Sequence, residues 1–570
     1  MLDPLNRNWT LARALMLICI AIALPCAAQI QSAMARERVG TSDEAGQIYP
    51  VKGVVLDSVT HQPIARALVD SHQGAVLTDN DGRFELILAE GITQISVKRP
   101  GYGSRGQPSN HTVHVAPNLP ALTFNLIPEA VITGQVTLST LDPAEGIRVF
   151  AYRHRVVNGR PQWTVESSTR TNSEGAFRIA GLQSGDYLVY TTSSRDGEGP
   201  LARGEAVYGY PAAYYPGVSD IASAGVLTLS AGQHAQADFI LTRQRFYHVT
   251  ALVTNRDVGG GLNLQIRDRS GRPVGIPVAF NLQQGMAETN LPTGSYFIDA
   301  HYRGESQLYG RVDFTVAGAP VTGLHLALAP LHPIPVTIRK AFTTNSSGNG
   351  GGVLLADGSP SGNPSSAGLN LSIVPAEEFF GQMRGGGGLR SAEGSNDGSS
   401  FELENVTPGR YWVETSPFEG YVSSITSGGV DLAREPLVVG AGGSTAPIEV
   451  TLRNDTATIT AQVNKGLPES APPNSAFGEQ YELYVYAIPL FPSSGPIRMS
   501  GGQGSGEVTL AGLAPGEYRV IAFDAPQEID FHTAQGIARY SGMGENITVE
   551  ANGSARVQLD LIRTGSMEAQ

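Results

Sequence analysis

The sequence predicts an all-β chain: a tandem array of about five antiparallel β-sandwich domains behind a signal peptide. Three observations carry that expectation. A short motif, Leu-x-x-Gly-x-Tyr, recurs roughly every hundred residues, the length of one small sandwich. Each copy closes one apolar run and opens another of period two, the signature of strands. Gly and Pro number 68 and 36 among 570 residues, a share that suits many turns between short strands.

The copies are Leu182-x-x-Gly185-x-Tyr187, Leu291-x-x-Gly294-x-Tyr296, Val406-x-x-Gly409-x-Tyr411 and Leu513-x-x-Gly516-x-Tyr518. A weaker one, Leu88-x-x-Gly91-x-Thr93, precedes them. Each Gly sits where a tight turn can need positive φ, and Pro292, Pro408 and Pro515 pre-set three of the turns. Alternation resumes at once, as in Tyr518, Val520 and Ala522 against Arg519, Ile521 and Phe523. A Tyr two residues past such a turn can tuck its ring inward and bond its hydroxyl to backbone, in the manner of a tyrosine corner.

In chain order, Arg7 and Arg13 precede an apolar run from Ala14 to Leu24 and then small residues, which reads as a signal peptide over 1–28. Both cysteines, Cys19 and Cys26, fall inside it, so the exported chain is expected to fold without disulfides. A polar linker follows over 29–47, and the sandwiches are expected over 48–128, 129–243, 244–331, 332–456 and 457–570. Each of the last four ends on two alternating runs joined through a glycine, read as an antiparallel hairpin. These run from Leu229 through Gly232 to Phe239, from Val316 through Gly318 to Leu324, from Val439 through Gly442 to Ile448, and from Val549 through Gly553 to Val557. Within the fourth sandwich, 344–368 and 381–400 are rich in Gly, Ser and Asn and read as loops.

The first sandwich carries Gly53-x-Val55-x-Asp57, Thr60-x-x-Pro63-Ile64, Thr78-Asp79-x-x-Gly82-x-Phe84 and Gly101-Tyr102. This set resembles the carboxypeptidase regulatory-like domain over residues 48–128. The second sandwich repeats it more loosely, with Gly134-Gln135-Val136 and Asn172-Ser173-Glu174-Gly175-Ala176-Phe177. The resemblance implies a transthyretin-like sandwich, grouped with carbohydrate-binding-like folds, and the non-catalytic accessory part of the peptidase. Carbohydrate is the ligand it implies.

The residues themselves point away from catalysis. The eleven histidines form no His-x-x-Glu or His-Glu-x-x-His, and no Gly-x-Ser-x-Gly elbow occurs. No cofactor and no metal site are expected. Asp79-Asn80-Asp81-Gly82 lacks the surrounding oxygen ligands of a calcium loop, and a tight turn explains it. A net charge of −13, only four lysines and no basic stripe exclude nucleic acid as a partner. No later run is long and apolar enough for a membrane helix. The expected partner is therefore a glycan or an envelope protein. An accessory module of an outer-membrane transporter or peptidase system and a structural spacer are the other readings.

Two constellations stand out. Tyr208, Tyr210, Tyr214 and Tyr215 lie within eight residues among turn formers, too dense to alternate into one core. Their rings either meet a ligand such as a sugar face or cover an open sandwich edge. In the fourth sandwich, Lys340 ends the first strand, Asn454 ends the last, and Glu414 lies between. That arrangement resembles collagen-adhesin B-type domains, which implies a Lys340–Asn454 isopeptide bond assisted by Glu414. The plain alternative is a solvated lysine at a strand end.

Overall fold

The computed structural model describes residues 47–103, 109–196, 206–255, 261–303, 307–343, 368–377, 388–392, 400–464, 483–502 and 506–563. The expected signal peptide, nearly all of the linker, both cysteines and most of the two Gly/Ser-rich stretches lie outside them. The described strands build β-sandwiches in tandem, and Ala534–Arg539 is the one α-helix among the described residues.

The first sandwich sets Ile48–Asp57 between Arg83–Ala89 and Leu122–Leu126. Its second sheet runs Gly74–Leu77, Leu68–Ser71, Gly91–Lys98, Ser109–Val115. Val51, Val55, Phe84, Leu88, Ile95 and Val97 are buried between them. The Asp79 carboxylate accepts the amides of Asp81 (2.9 Å) and Arg83 (2.8 Å), so it caps a tight turn.

The four later sandwiches share one plan. The opening strands are Ala130–Leu138, Gln244–Thr254, Ile334–Lys340 and Ala457–Asn464. Each pairs antiparallel with the strand before the tyrosine motif, and parallel with the last strands of its own sandwich. This corrects the closing hairpins. Val226–Leu229, Gln307–Val316, Leu437–Val439 and Glu545–Val549 each pair with the strand after the motif, in the opposite half of the sandwich. The two halves of the fifth are joined into one sheet by Ser554–Ile562. The glycine link therefore arches from one half to the other. Alternation reports which face is buried, not which strand is the hydrogen-bond partner, and an arch and a hairpin bury the same faces. A second correction concerns 381–400: Leu389–Ser391 is a strand paired with Ser400–Leu403. Val207–Tyr210, sequentially in the second sandwich, pairs with Gln244–Thr254 of the third.

At every motif the chain leaves one half of the sandwich and enters the other, and the tyrosine fixes the crossing. The hydroxyls of Tyr187, Tyr296, Tyr411 and Tyr518 donate to the carbonyls of Gln183 (2.7 Å), Pro292 (3.1 Å), Thr407 (2.9 Å) and Ala514 (2.8 Å). All four acceptors lie four residues back. Gly516 takes φ +153°, and a Cβ there would meet the Phe491 ring at 2.5 Å.

The strand after each corner is covered on both faces. Its inner side joins the core; what covers its outer side differs. In the second sandwich Leu188 and Tyr190 lie under a loop of the same domain carrying Tyr214 and Val218. In the fifth, Ile521 and Phe523 lie under Ile529, Phe531 and Tyr540. In the fourth the cover comes from the second sandwich, whose strands Arg148–Val157 and Arg160–Arg170 form a long hairpin. At its tip the Arg160 guanidinium lies 3.4 Å over the Trp412 ring, and Asn158 donates to Glu414 (2.8 Å). The same hairpin reaches the fifth sandwich. Arg155 pairs with Glu528 (2.7 Å), and Gly159 packs on the Phe531 ring, its carbonyl accepting the His532 amide (3.3 Å). The fourth and fifth meet where Ser494 accepts the Thr415 amide (2.9 Å). The second and third meet where the Arg272 guanidinium lies 4.2 Å over Tyr214. The second, fourth and fifth sandwiches thus touch in a closed circuit, and the third joins it at the second.

Two substitutions test the corner. Tyr518→Phe removes one hydroxyl–carbonyl bond and is expected to cost about 1 kcal/mol in urea unfolding. Gly516→Ala must strain φ and displace Phe491, so it is expected to cost more than Tyr518→Phe. Equal stability of wild type and both variants would contradict the role given to the corner.

Candidate functional site

In the third sandwich the outer side of the post-corner strand is polar. Gly294–Arg303 pairs with Gly261–Asp268 and Gln307–Val316 in a register that sets Gln265, Asp299 and Arg311 abreast. Asn263, His301 and Tyr309 form the next row, and Arg303 and Gln307 the row after it. Tyr296, Ile298, Ala300 and Tyr302 alternate inward to the core, so these rows face away from it. They face the fourth sandwich across a cavity of about 1060 Å³, closed on the far side by Pro375, Glu377, Asn405, Thr407 and Tyr411.

Asp299 is 5% exposed and Arg267 8%, so both charges are out of water. Their geometry offsets the desolvation. One Asp299 oxygen accepts the Tyr309 hydroxyl (2.9 Å) and the other faces Arg267 Nε (3.3 Å). Arg267 also donates to the Gly271 carbonyl and Gln265 Oε1, both at 2.7 Å. Burial still outweighs these partners and holds the Asp299 carboxyl above the ordinary carboxylate range. Burial also pushes the Tyr309 hydroxyl up, so it remains a donor. Arg311 lies 3.7 Å over the Phe297 ring and pairs with Asp313 (2.9 Å). His301 packs at a tilt against Tyr309 with ring centres 5.1 Å apart, and burial lowers its pKa. Its Nε2 is buried with no hydrogen-bond partner among the described residues. The cleft is a fixed array of guanidinium, amide, hydroxyl and aromatic groups. It can hold a polyhydroxylated or charged ligand by hydrogen bonds. Among the described residues no group of three or more His, Cys, Asp or Glu could hold a metal ion.

The tyrosine loop lies elsewhere. Tyr214 is fully buried, against Tyr190 (5.1 Å between centres) and under Arg272 of the third sandwich. Tyr210 is in the core of the second sandwich, and Tyr215 packs edge-on to Phe239. Tyr208, half-buried, lies under the Arg243 guanidinium (4.2 Å). As folded, the loop spends its rings on cores and on the seam between two sandwiches. Of the isopeptide set, Glu414 stands apart from the other two. Lys340 is exposed beside the last strand of its sheet, and Asn454 Oδ1 accepts the Thr343 amide (2.9 Å). Glu414 stands on the outer face of the opposite sheet, hydrogen-bonded to Asn158. The reason is its alternation with Tyr411 and Val413, which take the inner face.

No family model matches the chain, and no curated protein matches it. Solved structures similar to it include a Streptococcal ancillary pilin, at 11% identity and TM-score 0.18 over 49% of this chain and 99% of that one. The Bacillus anthracis TIE protein matches at 11% identity and TM-score 0.16, over 73% of this chain and 75% of that one. GBS52, the minor pilin of Streptococcus agalactiae, matches at 11% identity and TM-score 0.17, over 36% and 97%. The class is that of tandem β-sandwich proteins. Among the described residues no helix is long and apolar enough to cross a membrane.

The circuit carries a pH dependence. Burial, helped by Arg160, pushes His532 down to about 3, and burial likewise lowers His301. Unfolding returns each to an ordinary value near 6.5. Below that value the unfolded chain binds protons that the folded chain refuses, so stability falls as pH drops from about 6.5 toward 3. Asp299 and Glu414, both raised by burial, act in the opposite sense, but only where carboxylates titrate. The urea midpoint is therefore expected to fall between about pH 6.5 and 5. His532→Asn should reduce that slope; a midpoint flat across this range would contradict the assignment.

Proposed function

We propose that the protein is an exported, non-catalytic binding protein of the cell envelope, that carbohydrate is its ligand, and that its first sandwich belongs with the carboxypeptidase regulatory-like domains. The observation that carries the binding site is the cleft between the third and fourth sandwiches, about 1060 Å³ in volume. Pockets of small ligands span roughly 300–1,000 Å³, so this one has room for more than one sugar ring. Sugars need paired donors and acceptors around a ring and an aromatic surface for its C–H face. Asn263, Gln265, Gln307 and Thr407 supply the first; Phe297, Tyr309 and Tyr411 also line the cleft, but each is more than nine-tenths buried and Phe297 lies under Arg311, so hydrogen bonding carries the reading. The contacts among the last four sandwiches favour a compact scaffold around this cleft over an extended spacer.

A glycan array probed with residues 29–570 tests this reading. Retention of a glycan is expected, together with its loss in the double variant Asn263→Ala/Gln307→Ala. Both side chains are exposed, so the variant should fold. A blank array, or retention unchanged in the variant, would sink the proposal.

A further inference from the structure

The charge of the cleft runs against that of the chain. The protein carries a net −13. The cavity wall carries four guanidiniums, those of Arg267, Arg269, Arg303 and Arg311, and two carboxylates, Asp299 and Glu377. Arg267 is committed to Asp299, and Arg311 to Asp313. Arg269 and Arg303 have no ion-pair partner among the described residues, and both side chains are exposed. Arg303 follows His301 by two residues, so the two share the outer face of one strand. His301 Nε2 is the one wall nitrogen in this group that is buried without a partner among the described residues. Arg303 presents to the cleft a positive charge with no ion-pair partner among the described residues, which a ligand bearing an anionic group would answer.

Resting on the carbohydrate reading above, we infer that the cleft takes an acidic saccharide, with a carboxylate of the sugar held at Arg303, whose side chain is exposed at the cleft. A guanidinium fork matches a carboxylate with two parallel N–H···O bonds, and such charge-assisted bonds are about twice as strong as neutral ones. Arg269 lies at the opposite end of the same strand pair, beyond Asp268, so the anionic position rests on Arg303, which pairs with Gly261. Asp299 takes no part in ligand charge, because Arg267 and Tyr309 occupy both of its oxygens. The neutral donors Asn263 and Gln307 flank the anionic position and would read the hydroxyls of the same ring.

Calorimetric titration of residues 29–570 with a short oligogalacturonate, and separately with a neutral galacto-oligosaccharide of the same length, tests the inference. The acidic sugar is expected to bind at least about tenfold more tightly than the neutral one, a difference of about 1.4 kcal/mol. Arg303→Gln should erase that preference. Arg434→Gln makes the same charge change at an exposed surface pair with Asp431 and should leave the preference intact. Equal binding of the two sugars would overturn the inference and leave the carbohydrate reading standing. Binding of neither would overturn both. Preference for the acid that survives Arg303→Gln would remove the site from this cleft.

Discussion

One hydrogen bond sets the geometry of the last four sandwiches: a tyrosine hydroxyl donating to the carbonyl four residues behind it. A chain that crosses from one sheet to the other must turn sharply without leaving backbone groups unpaired in the core. Gly185 and Gly516 allow the turn by positive φ, whereas Gly294 and Gly409 do not take it and instead leave room for the corner tyrosine. The ring fills the space and its hydroxyl satisfies a carbonyl that the turn would strand. Once the crossing is fixed, so is the register of the strand that follows. Each such strand then offers one side to the core and the other to whatever lies outside.

That outer side is where the sandwiches differ, and where they join. An apolar outer side must be covered, and the second and fifth sandwiches cover theirs with their own loops. The fourth shows Trp412 and Glu414 and receives the hairpin tip of the second. The third shows Asp299, His301 and Tyr309, beneath a cavity instead of a packed seam. Burying an Asp–Arg pair is costly unless partners answer it, and here each Asp299 oxygen and each Arg267 guanidinium nitrogen meets one. A hydrophobic cover would have been simpler. The polar wall is the feature of this chain that packing alone does not call for.

Much of the fold was legible in the sequence because it rests on local rules. The turn glycines, the corner tyrosines and the period-two runs each act within a few residues. The arches at the domain ends were misread as hairpins because inward-facing alternation looks the same whichever sheet a strand joins. The cleft was not legible at all. Phe297, Asp299 and His301 alternate with core residues and so read as an ordinary solvent face; only the approach of the fourth sandwich makes them a wall. The tyrosine loop left two readings open for the related reason that burial between two domains leaves no local mark. Asn158-Gly159 is a recognisable hairpin turn, with φ +51° and +76°. Nothing in those two residues says that the tip docks on Trp412 and Phe531.

The central claim is that the hairpin of the second sandwich reaches the fifth and closes the circuit. Both cysteines fall within residues 1–28, so a chain of residues 29–570 has no thiol of its own. An Arg155→Cys/Glu528→Cys pair can then be treated with a short bismaleimide at low protein concentration. The account predicts one dominant intramolecular cross-link, because these side chains meet at 2.7 Å. Two separately labelled cysteines and no cross-link would contradict it.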